Sequence, residues 1–192
     1  MRKGAVQRNT NETEINVELC LDGSGSYDIE CSCNFFKHML EQLACHSGFD
    51  IKISAKSNDN DLHHLVEDTA IALGKAFSEA IKEKAGINRY GQCILPMDES
   101  LVLCAVDISG RAFSTTGLQL VSERVSDFET ILVPHFFNSF AQNAGITLHI
   151  KQLNGEDTHH IIEAAFKSFA RALKQAAAKN GTDAIPSTKG CL

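Results

Sequence analysis

Two copies of the pattern His-His-x-x-Glu occur in this 192-residue chain, at residues 63–67 and 159–163, so each position recurs 96 residues later. On a helix, side chains three and four residues apart are neighbours, and the glutamate of each copy therefore lies beside both histidines. A helix N-terminus carries partial positive charge, which disfavours protonated imidazoles there. Neutral imidazoles beside a carboxylate are ligands for a divalent cation, so the repeated pattern predicts metal binding.

A further histidine precedes each copy, His38 in the first half of the chain and His135 in the second, 97 residues apart. Adjacent histidines such as His63 and His64 diverge by about 100° around the helix axis, because ~3.6 residues make one turn, and they should serve different ions. Six imidazoles and two carboxylates, shared between two metals, supply four ligands each. A six-coordinate ion such as Mn²⁺ then keeps open positions for substrate or water, whereas tetrahedral zinc keeps none, and the spacing does not choose between metals. The predicted ligands are His38, His63, His64, Glu67, His135, His159, His160 and Glu163.

The elements that must position these residues also occur twice. In the first half, the alternation in "TEINVELCL" predicts a strand, "FFKHMLEQLACHSG" a helix that stops at Gly48, and "FDIKISA" another strand. A long helix with an apolar stripe then begins at the His-His pair and is expected to end at Gly86. The second half repeats this order in "SLVLCAVDIS", "PHFFNSFAQNAG", "ITLHIKQL" and "HHIIEAAFKSFARALKQAAA".

Self-similarity at a fixed spacing is typical of repeated architecture. We therefore predict an α+β fold made of a duplicated two-layer unit. Each half is a mixed sheet with two helices on one face, and the halves are related by a pseudo-twofold axis. Residues 1–89 would form the first α+β repeat and residues 90–192 the second, packed as one compact pair.

The composition excludes several other classes of protein. With 18 basic and 24 acidic residues the net charge is −6, which argues against a dedicated nucleic-acid-binding protein. No apolar run approaches the ~18 residues that a membrane span needs, and the N-terminus "MRKGAVQRNTNETE" lacks the apolar core of a signal peptide. Seven scattered cysteines without a CxxC pair are typical of reduced thiols in the cytoplasm, where we expect this protein.

Nearly the whole chain resembles the imidazoleglycerol-phosphate dehydratase family. The segments that carry the resemblance are "RNTNET", "FFKHMLEQLACHSGFD", "HHLVEDTAIALG", "GINRYG", "PMDESL", "DISGR", "HFFNSFAQNAGITLHI", "HHIIEAAFKSFARALKQA" and "IPSTKG". The resemblance implies a hydro-lyase of histidine biosynthesis that removes water from D-erythro-imidazole glycerol phosphate and forms imidazole acetol phosphate. It also implies two Mn²⁺ per active site and a cubic homo-oligomer of about 24 chains, with active sites at subunit interfaces.

The same resemblance assigns roles to individual residues. Metal ligation of the substrate ring favours an imidazolate, a carboxylate moves protons, and arginines hold a dianionic phosphate bidentately. The expected catalytic residues are Glu12, His63, Glu67, His159 and Glu163. The expected substrate-binding residues are Glu12, His38, His46, Arg89, Arg111, Ser187, Thr188 and Lys189. The last three lie in the C-terminal tail, residues 180–192, which is expected in the active site.

Two features depart from the family pattern. Lys37 precedes His38, where the family usually has an acidic or amide residue, and the cation either weakens a contact behind the metal ligand or faces solvent. The loop "KSNDNDLHH" is one residue shorter than usual and lacks the common Gly-Asp start. Because every metal ligand is retained, we expect activity, with metal affinity as the property most affected.

Two other functions compete with the dehydratase. A hydrolase or oxidase could use the same ligand set with a metal-bound hydroxide, but the cationic cluster of Arg89, Arg111 and Lys189 favours a phosphorylated substrate. A non-catalytic protein that assembles on metal would not need Glu12, and the presence of Glu12 argues against it.

Overall fold

The computed structural model describes residues 1–192, which form four α-helices, two four-stranded sheets and a two-stranded hairpin. The first half contains β1 (Lys3–Asn9), β2 (Thr13–Cys20), β3 (Tyr27–Cys31), α1 (Asn34–Ser47), β4 (Asp50–Ser57) and α2 (Leu62–Ala80). The second half contains β5 (Tyr90–Met97), β6 (Ser100–Asp107), β7 (Phe113–Gly117), β8 (Arg124–Val125), β9 (Phe128–Glu129), α3 (Leu132–Ala144), β10 (Thr147–Asn154) and α4 (Thr158–Ala177). None of the helices is long and apolar enough to span a membrane.

The two sheets have the same topology. Their strand orders are β1-β2-β4-β3 and β5-β6-β10-β7, and in each sheet one pair is parallel and the others are antiparallel. The register is also equivalent, because Cys20 pairs with Asp50 in the first sheet and Asp107 with Thr147 in the second. The prediction of a duplicated α+β fold with mixed sheets is confirmed. The proposed division after residue 89 falls between α2 and β5, and it stays a prediction about domain organisation.

One hydrophobic core joins the two halves. Helix α1 packs on α4 and helix α2 on α3, so helices of different halves face each other. A continuous cluster of 52 buried residues runs through both halves. Phenylalanines cross the boundary, with ring centroids 5.6 Å apart for Phe36 and Phe136 and 5.9 Å apart for Phe77 and Phe140. Burying such a side chain contributes roughly 1.5–3 kcal/mol, so the interface between the halves is a major source of stability.

The N-terminus of α1, which carries His38, is capped from the other half. Cys33 precedes the helix without a side-chain cap. Instead the carboxylate of Asp127 accepts hydrogen bonds from the backbone of Asn34 (2.6 Å) and Phe35 (3.0 Å). Partial burial opposes ionisation of Asp127, but these bonds outweigh it and lower its pKa. A residue of the second half therefore sets the start of the helix that holds His38.

Helix α2 ends earlier than the sequence predicted. It stops at Ala80, whereas we expected Gly86 to end it. The reason is tertiary: the following backbone pairs with the C-terminal tail, with Gly86 donating to Ala184 (2.8 Å) and Asn88 to Ala178 (2.9 Å). These bonds cannot form from inside a helix, since the same groups would then bond within it.

Candidate active site

Two aspartates place the His-His-x-x-Glu motifs in the first turns of α2 and α4. The Asp61 carboxylate accepts from the backbone of His63 (2.7 Å), and the Asp157 carboxylate accepts from the backbone of His159 (2.8 Å). Such N-caps satisfy amides that have no partner within the helix. The signal in the sequence is an aspartate two residues before each motif.

The first group of metal-ligand side chains combines α1 with α4. His159 Nε2 lies 3.1 Å from Glu163 Oε2, and His38 Nε2 lies 3.6 Å from the same oxygen. Ligand atoms of all three side chains lie within 4.8 Å of one another. Two imidazole nitrogens and one carboxylate oxygen suit a divalent cation such as Mn²⁺.

Lys167 supports this group and was missed by the sequence analysis. Its ammonium lies 2.6 Å from Glu163 Oε1, on the oxygen opposite the histidines. Burial raises the pKa of Glu163, but the contacts with Lys167 and His159 outweigh burial and hold that pKa below its usual value. Glu163 is therefore a buried carboxylate that its neighbours stabilise in the ionised form. The spacing of four residues between Glu163 and Lys167 on a helix was the available signal.

The second group is the pseudo-symmetric counterpart of the first and combines α2 with α3. His63 Nε2 lies 3.6 Å from Glu67 Oε2, and the rings of His63 and His135 are 4.9 Å apart between centroids. This group is more open, because Glu67 is 42% exposed and Glu163 only 7%. The early histidine of each half thus joins the motif of the other half.

His64 and His160 lie outside both groups and contact carboxylates instead. His64 Nδ1 donates to Asp59 Oδ2 at 2.7 Å, and His160 Nδ1 donates to Glu99 Oε2 at 2.8 Å. These hydrogen bonds raise the pKa of both histidines. The hydrogen bond from the Asp61 backbone amide, together with that from His64, lowers the pKa of Asp59 to about 2. The argument from the helix dipole considered only the helix N-terminus and did not include these two carboxylates.

Glu12 stands close to His64 without bonding to it. Its Oε2 lies 3.7 Å from His64 Nδ1, at the start of β2, and the side chain is half exposed. Glu12, Asp59 and His64 also have oxygen and nitrogen atoms within 4.8 Å of one another, and this cluster is separate from the two groups described above.

Lys37, the cation next to His38, does not contact the metal-ligand groups described above. Its ammonium lies 4.0 Å from Glu41 Oε1, one turn along α1, and its side chain is 41% exposed. His46 lies at the other end of α1, where Nε2 is 3.1 Å from Gln42 Oε1. Burial, reinforced by the positive charges of Lys167 and Arg171, lowers the pKa of His46.

Arg89, an expected phosphate ligand, makes three fixed contacts. Its Nε and Nη2 donate to the two carboxylate oxygens of Asp107 (2.8 and 3.2 Å), and Nη1 donates to the Pro186 carbonyl (2.8 Å). The guanidinium also lies over the Tyr90 ring, 4.7 Å from its centroid. A guanidinium has five N–H donors, so two remain for a phosphate.

The other expected phosphate ligands lie at the same end of the fold. The hydrogen bond from Arg89 to the Pro186 carbonyl holds the C-terminal tail beside Arg89, and residues 187–189 follow directly along the chain. Arg111 follows Gly110 after β6, and Lys84 and the C-terminal Leu192 lie against Gly110. Burial lowers the pKa of Lys84. Lys84 is a cation at this end that the sequence analysis did not single out.

The first group of predicted metal ligands and the expected phosphate ligands lie at opposite ends of α4. His159 is in its first turn, whereas the backbone of Arg89 donates to Ala176 in its last turn (2.9 Å). At ~1.5 Å per residue, these two positions on the helix are about 25 Å apart. A single small molecule therefore cannot contact both sets of residues within one chain.

The fold and the site together define a class of protein. The chain is a duplicated α+β protein in which histidines and glutamates of both halves come together in two groups. In the first of these groups the ligand atoms lie close enough together to hold a divalent cation. Comparison with known proteins gives the family.

The family model for imidazoleglycerol-phosphate dehydratase matches residues 31–173. Proteins of that name from Ruegeria pomeroyi and Caldanaerobacter subterraneus subsp. tengcongensis are 52% and 50% identical, with all of both chains covered. A crystal structure of the Staphylococcus aureus dehydratase superposes with a TM-score of 0.84 at 38% identity, over 92% of this chain and 99% of that one. A crystal structure of the Pyrococcus furiosus dehydratase superposes with a TM-score of 0.85 at 36% identity, over 97% of this chain and 100% of that one.

The chain therefore belongs to the imidazoleglycerol-phosphate dehydratase family. It is a hydro-lyase of histidine biosynthesis, which confirms the family, the fold class and the enzyme class inferred from the sequence. The roles of individual site residues stay predictions.

Proposed function

We propose that the enzyme removes water from D-erythro-imidazole glycerol phosphate to give imidazole acetol phosphate, with two Mn²⁺ per active site. The observation that carries this proposal is the crossed pair of groups, each with two imidazoles and one carboxylate. A bound divalent ion would act as a Lewis acid on the imidazole ring of the substrate. Mixed imidazole and carboxylate donors with open positions suit Mn²⁺ better than a closed tetrahedral zinc site.

Each group would hold one ion and need further ligands. His38, His159 and Glu163 would hold the first ion, and His63, Glu67 and His135 the second. His64 and His160 lie outside both groups and use Nδ1 for carboxylates, which leaves Nε2 without a hydrogen bond. The carboxylate of Asp98 lies 3.7 Å from Nε2 of His160. We propose that they serve as fourth ligands in other copies of the chain.

Glu12 is the proposed proton carrier. Dehydration requires a base that takes a carbon-bound proton and an acid that protonates the leaving hydroxyl. The Glu12 carboxylate is half exposed at the same end of the fold as the metal ligands, and no hydrogen bond to a neighbouring side chain holds Oε2. It can therefore accept the proton and return it.

The phosphate would be held by another copy of the chain. Arg89, Arg111 and Lys189 offer the positive charge, and they lie at the far end of α4 from the metal ligands. An active site that needs both ends must be built between copies. This supports a homo-oligomer, since closed symmetry lets every copy present both ends to its neighbours. For its size we propose the cubic assembly of about 24 chains that the family resemblance implies.

Metal removal tests this proposal. Protein stripped of metal is titrated with Mn²⁺, and bound Mn²⁺ per chain, molecular mass and turnover of imidazole glycerol phosphate are followed together. We expect two Mn²⁺ per chain, growth of the assembly and the appearance of imidazole acetol phosphate, with no turnover in Glu163→Gln. His149→Ala, which removes an exposed histidine on β10, is the matched control and should behave as wild type. Full turnover by the stripped protein would contradict the proposal.

A further inference from the structure

Glu12 and Glu99 occupy the same position in the two halves of the duplicated unit. Glu12 directly precedes β2, which begins at Thr13, and Glu99 directly precedes β6, which begins at Ser100. Both strands have eight residues, occupy the second place in their sheets and pair with β4 and β10 in equivalent register. Thr13 and Ser100 are both buried, so the preceding glutamates emerge at matching places.

The two glutamates nevertheless make different contacts. Glu99 bonds His160 directly, and its other oxygen accepts from Ser100 Oγ (2.8 Å) and from the Asp157 backbone (3.0 Å). It is held on both sides. Glu12 approaches the equivalent histidine only to 3.7 Å, which is too long for a hydrogen bond.

In the first half Asp59, and not Glu12, is the carboxylate that accepts the hydrogen bond from His64. Its Oδ2 accepts from His64 Nδ1 at 2.7 Å, while Oδ1 accepts from Ser57 Oγ (2.8 Å) and the Asp61 backbone (3.0 Å). This carboxylate is therefore as firmly anchored as that of Glu99. The position 96 residues after Asp59 is Gly155, so the second half has no carboxylate at the position equivalent to Asp59.

We infer that Asp59 and Glu99 are positioning residues for His64 and His160, and that Asp59 releases Glu12 for contact with the substrate. A carboxylate on Nδ1 fixes the ring orientation and the tautomer, so that the lone pair of Nε2 faces a metal ion. The duplicated unit has thus diverged: one glutamate orients a histidine, and the other is left free. This inference rests on the proposed metal site.

Direct Mn²⁺ binding tests the positioning role. The dissociation constant for Mn²⁺ is measured for wild type, Asp59→Asn and Glu99→Gln. The electron paramagnetic resonance signal of free aquo Mn²⁺ gives the concentration of unbound ion. We expect each variant to bind Mn²⁺ about 10–100-fold more weakly, as is usual when a partner behind a metal ligand is lost. Glu14→Gln is the matched control, because Glu14 is an exposed β2 carboxylate that contacts Lys56 (3.5 Å), and it should leave the constant unchanged.

Two further measurements separate positioning from a general loss of structure. Without added metal, wild type and Asp59→Asn should have the same Tm. If Glu99→Gln lowers the Tm, its Mn²⁺ affinity also reflects lost stability, and Asp59→Asn alone tests the positioning role. Glu12→Gln should lower kcat while leaving the Mn²⁺ dissociation constant unchanged, the opposite of its pseudo-equivalent Glu99→Gln.

The outcomes distinguish this inference from the proposed function. If wild type binds Mn²⁺ and turns over, but Asp59→Asn binds Mn²⁺ equally well, the positioning role is overturned and the proposed function stands. If Glu12→Gln weakens Mn²⁺ binding as much as Asp59→Asn does, Glu12 also supports the metal site, and the inference that Asp59 leaves Glu12 free is overturned. Wild-type protein that neither binds Mn²⁺ nor turns over would overturn the proposed function and this inference together.

Discussion

Arg89 and Asp107 form a two-pronged ion pair, with Nε and Nη2 donating to the two carboxylate oxygens at 2.8 and 3.2 Å. The third nitrogen holds the C-terminal tail through the Pro186 carbonyl. Asp107 therefore orients Arg89, the proposed phosphate ligand, and through it the segment that carries residues 187–189. Arginine is suited to this double role because its donors are rigidly arranged.

Asp107→Asn should weaken substrate binding more than catalysis. Loss of a hydrogen bond to a charged group costs about 1.5–3 kcal/mol, so KM should rise roughly tenfold or more, with kcat much less affected. Steady-state kinetics measures this, and proteolysis of residues 180–192 should become faster. Asp28→Asn, which removes an exposed carboxylate 3.3 Å from Lys52, is the control. An unchanged KM would show that Asp107 does not orient Arg89 for phosphate.

The crossed arrangement of metal ligands predicts which double variants lose both ions. His38 is grouped with Glu163, so His38→Ala combined with Glu163→Gln should still leave about one Mn²⁺ bound per chain. His38→Ala combined with Glu67→Gln damages both groups and should leave none. Metal content after dialysis measures the difference. The reverse order would mean that each early histidine serves the motif of its own half.

Asp22 should make a small contribution to stability that disappears in acid. Its carboxylate contacts Arg2 at 2.6 Å, and the hydrogen bond lowers the pKa of Asp22. A lowered pKa stabilises the fold above the unfolded pKa of about 3.9, and that stability is lost as pH falls through the folded pKa. Because the pair is partly exposed, Asp22→Asn should cost less than about 1 kcal/mol at pH 7, and a smaller amount at pH 2. Urea unfolding at both pH values measures this, and an equal cost at pH 2 would contradict it.

The shared core predicts that the two halves unfold together. Phe136 is fully buried and contacts Phe36 of α1 and Phe166 of α4, at centroid distances of 5.6 and 5.0 Å. Phe136→Ala should cost about 3–5 kcal/mol, and calorimetry should still give a single transition. Ile131→Ala, at a side chain that is 66% exposed, is the control and should have little effect. Two separate transitions would show that the halves are independent domains.

Local patterns predicted the fold well because the duplication repeats them. The alternation around Ile15 and Val17 and the helical stripe from Val66 to Phe77 depend only on neighbouring residues, and each recurs in the second half. The same holds for the two motifs, whose position in a first helical turn follows from the aspartate two residues before.

Contacts between the halves could not be read from local periodicity. Three features depend on how the two halves and the C-terminal tail pack together. They are the proximity of His38 to Glu163, the cap that Asp127 gives α1 and the early end of α2. Carboxylates that hold histidine Nδ1 atoms were also missed, because Asp59 and Glu99 come from unrelated loops. Such pairings are set by tertiary geometry, which overrides local preference.

Mixed assemblies of two inactive variants decide whether each active site is built between copies. Glu163→Gln damages a metal group, and Arg111→Ala damages the phosphate set at the other end of the chain. The two proteins are stripped of metal, mixed in equal amounts and reassembled with Mn²⁺, and turnover of imidazole glycerol phosphate is measured. If the two ends come from different copies, random mixing restores about a quarter of wild-type activity, since that share of sites receives two intact ends. Activity no greater than the sum of the two separate variants would contradict an active site shared between copies.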